Sequence, residues 1–240
     1  MNKPDYISRP DWELLTKKYS IKKISRYLKK NYPYQYLLKD VFFYNSLIKV
    51  NKNVLIPRWE TEQLVDKIVK KLNFSVRNGL DLCTGSGCIA VSLSKELGVH
   101  FDAIDKSRKA LRVAKKNVKS NDVSVSLIRQ DLLKHKINGR YDLIVCNPPY
   151  VSYDEEVGVE TKYEPQSAIF ADNNGLIFYK TILKNLKNNL DERYLIAMEI
   201  GVNQKKDIIK IASNYFNKDY IKVEKDNNER DRFLFITNCE

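Results

Sequence analysis

Helix-like and strand-like segments alternate along most of this 240-residue chain, and this alternation constrains the fold more than any other feature. From about residue 60 onward, apolar residues recur at helical spacing in some segments and form short strand-like runs in others. The strand-like runs are "GLDLC", "VHFDAID", "VSVSLI", "YDLIVC", "YLIAMEI", "YIKVE" and "RFLFIT". This order is typical of an α/β protein. We predict a doubly wound, mostly parallel seven-stranded sheet with helices on both faces and an antiparallel edge.

Local signals place several helix ends. Apolar residues at every fourth position predict a helix from about residue 60. Gly98 is expected to end the helix that follows the first strand, because glycine adopts the left-handed conformation of a helix C-terminus without strain. Ser107 is expected to cap the next helix. Later helices are predicted over residues 176–190 and 204–216.

The first 58 residues lack this alternation. Residues 1–36 predict a short, basic helical segment that Pro33 interrupts, with apolar positions at Leu14, Leu15, Ile21, Ile24 and Leu28. Next, "VFFYNSLIKVNKNVLIP" predicts a β-hairpin that turns at Asn51-Lys52-Asn53. We therefore expect three parts: the N-terminal segment 1–36, a linking hairpin 37–58 and the main domain 59–240.

The composition favours a cytoplasmic protein. Hydrophobic residues make up 43% of the chain, which is enough for a sizeable core, and no apolar stretch approaches the length that a bilayer requires. The N-terminal "MNKPDYISRPDW" has no hydrophobic core of a signal peptide. We therefore expect no membrane partner.

Charge and cysteine content bear on partners and metals. The net charge of +12 suggests an acidic partner such as nucleic acid, although lysines spread over a solvated surface would give the same value. A nucleic-acid partner is therefore possible but not required. The four cysteines show no C-x-x-C spacing, so we predict buried free thiols and no metal site: Cys83, Cys88, Cys146 and Cys239.

A glycine loop follows the first strand and predicts a nucleotide-like cofactor. In Cys83-Thr84-Gly85-Ser86-Gly87, the two glycines allow a sharp turn and a close approach of backbone to ligand. Asp105 ends the second strand about 20 residues later, the usual place for a carboxylate that binds ribose hydroxyls. Asp131 follows the third strand, where a carboxylate could meet an adenine amino group. Together these residues favour an adenosine-bearing cofactor.

Simpler interpretations of these residues stay open. The loop could be a tight turn without a ligand, and Asp105 could only cap the next helix. Because Gly85-Ser86-Gly87-Cys88-Ile89-Ala90 also fits the looser dinucleotide pattern, a nicotinamide-dependent oxidoreductase is a further alternative.

The stretch "VCNPPYVS" ends the fourth strand with an amide and two prolines. Pro148 and Pro149 fix two φ angles at about −65° and remove two N–H donors, so the Pro148 carbonyl has little freedom. Asn147 adds a side-chain oxygen, and two fixed acceptors suit a planar NH₂ group with two hydrogens to donate. Tyr150 offers an aromatic face. We predict that these four residues are catalytic and bind the substrate; a rigid loop without chemistry is the alternative.

The chain resembles a known enzyme family. "NPPY" after "DLCTGSG" resembles the class I S-adenosylmethionine-dependent methyltransferases that act on planar nitrogens. "PYQYLLKDVFFY", "VLIPRWETEQLV", "YEPQSAIFADNNGLIFY" and "KDNNERDRF" resemble the protein-glutamine methyltransferases of peptide chain release factors, the HemK/PrmC family. The resemblance runs from about residue 33 to the end of the chain.

The resemblance implies a substrate and a set of site residues. The substrate would be the glutamine of the Gly-Gly-Gln motif of class 1 peptide chain release factors, methylated on its side-chain amide nitrogen with S-adenosylmethionine as cofactor. The implied cofactor contacts are Cys83, Thr84, Gly85, Ser86, Gly87, Asp105, Leu132 and Asn147. The implied substrate contacts are Asn147, Pro148, Pro149 and Tyr150, with Pro57, Arg58 and Glu62 near the active site.

Two features depart from the family pattern. Family members commonly have glycine where this chain has Cys83, so the cofactor loop begins with a side chain. The helical N-terminal domain of the family is usually longer than the segment of about 35 residues found here. Because that domain contacts the release factor in the family, the departure concerns partner binding.

Two further functions share parts of this pattern. An adenine-N6 methyltransferase acting on DNA or RNA would use the same Asn147 to Tyr150 segment, and the positive charge suits it. However, no separate target-recognition region is evident, and "VLIPRWETE" would have no purpose there. A binding module that uses the sheet only as a scaffold is the other alternative.

Overall fold

The computed structural model describes residues 3–239. Its helices are α1 (Arg9–Lys18), α2 (Ile21–Leu28), α3 (Tyr34–Leu38), α4 (Trp59–Lys71), α5 (Cys88–Leu97), α6 (Arg108–Asn121), α7 (Ile177–Leu186) and α8 (Lys205–Ala212). Its strands are β1 (Asp40–Phe43), β2 (Ser46–Lys49), β3 (Asn78–Leu82), β4 (His100–Asp105), β5 (Val125–Arg129), β6 (Tyr141–Cys146), β7 (Leu190–Glu199), β8 (Ile221–Lys225) and β9 (Asp231–Thr237).

Seven of these strands form one twisted sheet in the order β5-β4-β3-β6-β7-β9-β8. The strands from β5 to β7 are parallel, and β9 runs antiparallel to both β7 and β8. Every residue of β6 is buried, as expected for a central parallel strand covered on both faces. The prediction of a doubly wound, mostly parallel sheet with an antiparallel edge is confirmed.

The sheet lies between two helical layers. Alternate strand residues pack against α7 and α8 on one face, through side chains that include Tyr179 and Ile208. The other face packs against α4, α5 and α6, through side chains that include Leu64, Ile89 and Val113. In each layer an apolar stripe at helical spacing faces the sheet.

The predicted helix boundaries are partly right. Gly98 ends α5 with a φ of 68°, and the Ser107 hydroxyl caps α6 by accepting a hydrogen bond from the Ala110 N–H at 3.1 Å. The two later helices are shorter than predicted. α7 stops at Leu186 and is followed by a 3₁₀ turn, Lys187–Asn189, that leads directly into β7. α8 ends at Ala212 rather than at residue 216.

The N-terminal segment folds as three short helices around its own small core. Leu15, Ile24 and Leu28 are buried there with Ile7, Leu37 and Leu38. Leu14 and Ile21, which the helical pattern grouped with these residues, do not belong to this core, because they are 47% and 39% exposed. The helix is interrupted between Lys18 and Ile21, so α1 and α2 do not share one continuous apolar face.

The hairpin exists, but its turn was predicted at the wrong place. β1 and β2 pair in antiparallel register with Phe43 opposite Ser46, so the chain turns at Tyr44 and Asn45. At Asn51, the side-chain oxygen instead accepts a hydrogen bond from the Asn53 N–H at 2.9 Å, which makes a local turn after the hairpin. The division of the chain at residues 36 and 58 stays a prediction.

All four cysteines are free, as predicted, but only Cys88 and Cys146 are buried; Cys83 and Cys239 are half-buried. Across residues 3–239, the helices include none with both the length and the apolar character to cross a membrane.

The register of the central strands positions the site. Leu82 of β3 lies opposite Cys146 of β6, which lies opposite Met198 of β7. The next residue along each strand is Cys83, Asn147 and Glu199, respectively. The order of strands along the chain reverses between β3 and β6, and ligands bind at such reversal points beyond the carboxyl ends of the strands.

Candidate active site

Two cavities open side by side at this edge of the sheet. The first, of about 690 Å³ with its open mouth included, is lined by predicted cofactor residues: Cys83, Gly85, Asp105, Asp131, Leu132 and Asn147. The second, of about 620 Å³, is lined by predicted substrate residues: Arg58, Asn147, Pro148 and Tyr150. Leu55, Asn147 and Ala168 line both cavities. Asn147 therefore stands in the wall between them.

The remaining predicted cofactor residues shape the loop from behind. The Thr84 hydroxyl donates a hydrogen bond to Asp81 at 2.5 Å, and the Ser86 carbonyl accepts one from Asn117 Nδ2 at 2.8 Å. A Cβ on Gly87 would lie 3.2 Å from the Cβ of Ala114, so glycine allows α5 and α6 to pack closely. These three residues are buried and support the wall of the first cavity.

Asp105 ties the glycine loop to the second strand. One carboxylate oxygen accepts a hydrogen bond from the Gly85 N–H at 2.9 Å, and the other accepts from the Ser107 N–H at 2.7 Å. Burial raises the pKa of Asp105, and these two backbone hydrogen bonds oppose that rise. The carboxylate therefore orders two loops and also lines the first cavity.

Asp81, a residue that the sequence analysis did not single out, lies directly beneath the loop. Its Oδ2 accepts hydrogen bonds from Thr84 Oγ1 and from the Ala90 N–H at 3.2 Å. Its Oδ1 is buried and has no hydrogen-bond partner within residues 3–239. Burial raises the pKa of Asp81 to about 7.

The Asn147–Tyr150 loop is fixed by groups on either side of it. Pro148 and Pro149 are buried. The Tyr150 carbonyl accepts a hydrogen bond from Gln204 Nε2 at 2.9 Å. Gly175 adopts a φ of 76° and passes so close that a Cβ there would lie 1.9 Å from the Tyr150 oxygen. The backbone of the loop therefore has little room to move.

A buried hydrogen-bond network lies behind Asn147, and the sequence analysis missed three of its members, Thr61, Glu199 and Arg232. Asn147 Nδ2 donates to Thr61 Oγ1 at 2.9 Å, and Thr61 Oγ1 donates to Glu199 Oε2 at 2.7 Å. The Tyr150 hydroxyl donates to Glu199 Oε1 at 3.1 Å, and Arg232 Nη1 lies 3.4 Å from the same hydroxyl. Thr61 belongs to the quoted "VLIPRWETEQLV", but no local pattern shows that it contacts Asn147.

The Arg58 side chain is held by a second buried carboxylate. It forms a salt bridge with Glu164, whose side chain is fully buried and whose other oxygen accepts from the Ile56 N–H at 2.9 Å. Burial raises the pKa of Glu164, and Arg58 opposes that rise. The pair joins the loop before α4 to the loop around Pro165, and both loops border the cavities.

Pro57 and Glu62 lie differently from Arg58. Among the described residues, neither lines the two cavities. Burial raises the pKa of Glu62, and the backbone N–H of Tyr44 in the hairpin turn opposes that rise. The predicted closeness of these two residues to the active site stays a prediction.

The N-terminal segment docks on its own main domain. The Tyr163 hydroxyl donates to the Lys30 carbonyl at 2.9 Å, and its ring lies 4.9 Å from the Tyr32 ring between centroids. The buried Tyr36 hydroxyl donates to the Val54 carbonyl at 2.7 Å. Because Val54 lines the first cavity, the N-terminal helices support the site through two loops.

Comparison with known proteins identifies the family. A family model described as the methyltransferase small domain matches residues 60–174. The chain is 37% identical over 247 residues to the release factor glutamine methyltransferase of Mycoplasma mycoides, covering 97% of this chain and 86% of that one. It is 39% identical over 222 residues to the enzyme of the same name from Thermodesulfovibrio yellowstonii, covering 89% and 78%. This chain belongs to the release factor glutamine methyltransferase family.

Solved structures agree on the fold of this family member. A methyltransferase from Pyrococcus furiosus superposes with a TM-score of 0.60 at 16% identity, covering 91% of this chain and 99% of that one. A 16S rRNA methyltransferase of T. thermophilus in complex with AdoMet and guanosine superposes with a TM-score of 0.60 at 14% identity, covering 83% and 50%. The predictions of the family, of the fold and of a methyltransferase are confirmed.

Proposed function

We propose that this protein transfers a methyl group from S-adenosyl-L-methionine to the side-chain amide nitrogen of the glutamine in the Gly-Gly-Gln motif of class 1 release factors. One observation carries the proposal: Asn147 stands in the wall shared by the two cavities. A residue in that position can contact a cofactor on one side and an acceptor amide on the other. A cytoplasmic location, where release factors act, is part of the same proposal.

The first cavity fits an adenosine-bearing cofactor. Asp105 supplies a carboxylate for ribose hydroxyls, and Asp131 and Leu132 add a second carboxylate and an apolar side chain to the lining. At Gly85, an added Cβ would meet no atom closer than 3.9 Å, so bare backbone faces the space where a ligand approaches. Bound there, S-adenosylmethionine would supply an electrophilic methyl group on a sulfonium.

The second cavity suits a planar carboxamide. Within the described chain, no hydrogen-bond donor reaches the Pro148 carbonyl, so this acceptor is available at a fixed place. The Asn147 side-chain oxygen is the second acceptor, and Tyr150 provides a flat face. Two acceptors at fixed positions would bind both hydrogens of a glutamine NH₂ group and set the plane of the amide.

Orientation supplies most of the proposed rate enhancement. An amide nitrogen is a weak nucleophile because its lone pair is delocalised, so it reacts only when it is held in line with the methyl group. Positive charge would develop on that nitrogen as its bond to the methyl group forms and the sulfonium–methyl bond breaks, and one amide hydrogen would then leave as a proton. The Asn147 and Pro148 oxygens then interact more strongly with its hydrogens than they do in the ground state.

The direct test is a transfer assay with two classes of acceptor. Wild-type protein is incubated with S-adenosylmethionine labelled in the methyl group and either a purified class 1 release factor or DNA and RNA. We expect label on the release factor and none on nucleic acid. Label on adenine instead would establish the alternative that the +12 charge suggested. The Asn147→Ala variant serves as the control for transfer at this site.

A further inference from the structure

The amide of Asn147 has two possible orientations, and only one suits the proposed substrate. With Oδ1 towards the cavities, the side chain accepts a hydrogen bond from an incoming NH₂ group. With Nδ2 towards the cavities, it presents hydrogens to hydrogens and repels that group. The two orientations occupy nearly the same volume, so packing alone does not select between them.

The network behind Asn147 makes the selection. Burial raises the pKa of Glu199, and the hydrogen bond from Thr61, the charge of Arg232 and the hydrogen bond from Tyr150 oppose that rise and favour the ionised carboxylate. The ionised form can only accept hydrogen bonds, and Thr61 Oγ1 donates its single hydrogen to Oε2 at 2.7 Å. The Thr61 oxygen therefore has only acceptor capacity left for Asn147. Nδ2 must face Thr61, where the distance is 2.9 Å, and Oδ1 must face away from it.

The second oxygen of Glu199 is fixed in the same way. The Tyr150 hydroxyl donates to Oε1 at 3.1 Å. Arg232 Nη1 approaches that hydroxyl at 3.4 Å and donates to the Ile200 carbonyl at 3.1 Å, so a positive charge stays close to the carboxylate. With 2% of the residue exposed, Glu199 has little solvent to compete for these bonds. Both oxygens act as acceptors, and the direction of hydrogen bonding is set throughout the network.

We propose that Thr61 and Glu199 are positioning residues, which hold the Asn147 amide with its oxygen towards the acceptor cavity and so prepare it for an NH₂ donor. The inference rests on the proposed function, because it requires a carboxamide substrate. It also explains why β7 ends in a buried acid. Glu199 does not contact Asn147 directly; it accepts the Thr61 hydrogen, and this sets the direction of the hydrogen bond between Thr61 and the Asn147 amide.

The test uses two matched substitutions at one position. Thr61→Val keeps the shape of the side chain and removes the hydroxyl; Thr61→Ser keeps the hydroxyl. For methyl transfer to a release factor, we expect kcat to fall about 10- to 100-fold in Thr61→Val and to stay within about threefold of wild type in Thr61→Ser. The dissociation constant for S-adenosylmethionine, measured by calorimetry, should change less than about threefold in both, which also shows that both are folded.

A double-mutant cycle separates positioning from general support. Because Thr61 acts through Asn147, Thr61→Val should cause little further loss of kcat in an Asn147→Ala background. Glu199→Gln, whose amide can donate to Thr61 and reverse the chain, should lower kcat in the same range as Thr61→Val. Equal losses with and without Asn147, or an unchanged kcat in Thr61→Val, would overturn the inference. An inactive wild-type protein would instead count against the proposed function.

Discussion

The two loops that meet at the site are held in opposite ways. The first, Cys83 to Gly87, turns through left-handed residues, with φ of 59° at Cys83, 56° at Gly85 and 81° at Gly87, and is held by hydrogen bonds to Asp81 and Asp105. The second, Asn147 to Tyr150, has its backbone restricted by two prolines and its ends held by distant groups such as Gln204. The first loop therefore has a glycine-rich sequence that bends sharply around a ligand site, whereas the second has a stiff, proline-containing sequence whose position is fixed by contacts with other parts of the chain.

This difference matches what each loop has to do. A cofactor can be bound by exposed backbone and two carboxylates, which tolerate small shifts. A weakly nucleophilic amide must be held within a fraction of an ångström, because misplacement by about 1 Å can cost about 100-fold in rate. Substitutions in the second loop and its contacts should therefore reduce turnover most, and substitutions around the first should mainly change stability.

The largest effect is expected from Asn147→Ala. Removing one of two substrate acceptors should lower kcat/KM about 100- to 1,000-fold, since preorganised groups of this kind contribute about 3–4 kcal/mol to transition-state binding. The dissociation constant for S-adenosylmethionine should change far less. Steady-state kinetics and calorimetry on the same preparation check both values. If kcat/KM and the affinity for S-adenosylmethionine fell by comparable factors, Asn147 would serve the cofactor rather than the acceptor.

The close contact between Gly175 and the Tyr150 carbonyl, which restricts the second loop, is tested by Gly175→Ala, with Gly98→Ala as its control. Both glycines have a positive φ, 76° and 68°, so backbone strain should lower the unfolding free energy of both variants by about 1 kcal/mol, and Gly175→Ala should lose more because of a steric clash. Only at Gly175 would the new Cβ collide with the Tyr150 carbonyl; at Gly98 no atom lies within 4 Å. We expect roughly 100-fold lower kcat in Gly175→Ala and unchanged kcat in Gly98→Ala. Equal kcat values would show that this contact does not matter.

Asp81, beneath the first loop, predicts a pH effect on stability. Its pKa is about 7 in the folded protein against a usual value of 3.8, so the folded state binds the proton more tightly than the unfolded state. This contribution is fully present below pH 3.8, falls as the pH rises towards 7 and is lost above it. In the Asp81→Asn variant, the decrease in unfolding free energy between pH 3.8 and 7 should be smaller by up to about 1.4 kcal/mol per pH unit. Denaturant unfolding of both proteins across this range is the measurement, and parallel curves would contradict the prediction.

The smallest effect is expected from Cys83→Gly, which restores the residue common in the family. A non-glycine residue in the left-handed region costs about 1–2 kcal/mol, so the variant should gain about 1 kcal/mol in unfolding free energy after the added freedom of the unfolded chain is counted. Asp122→Gly, with a φ of 52° at the end of α6, should gain a similar amount away from the site. A loss of stability in Cys83→Gly would show that the thiol packing outweighs the strain.

The difference between local and long-range contacts explains how much of the structure the sequence could predict. Both loops, the alternation of strands and helices and the helix caps at Gly98 and Ser107 were predicted, because each depends on residues close together in the chain. Thr61 and Glu199 were missed because their contacts join residues 86 and 138 positions apart. A threonine in the first turn of a helix and a glutamate at the end of a strand have ordinary local environments. The register of β6 and β7 places Glu199 at the site, and the packing of α4 against the sheet brings Thr61 between Glu199 and Asn147.

The hairpin shows a second limit. Asn51 to Asn53 has the composition of a hairpin turn, and it does turn, but through an asparagine side chain rather than between paired strands. The actual turn uses Tyr44 with a φ of 52°, which a propensity rule disfavours. Packing of Phe43 and Ile48 into the core against α4 and α5 accounts for the register, and this tertiary contact leaves no local signal.

The central claim is that the Asn147–Tyr150 loop holds a glutamine carboxamide beside the methyl donor. The most direct measurement is peptide mass spectrometry of a class 1 release factor after incubation with this protein and S-adenosylmethionine. We predict one added methyl on the glutamine of the Gly-Gly-Gln peptide with wild-type protein, and almost none with Asn147→Ala. An unmodified Gly-Gly-Gln peptide, or a methyl group on any other residue, would contradict the account.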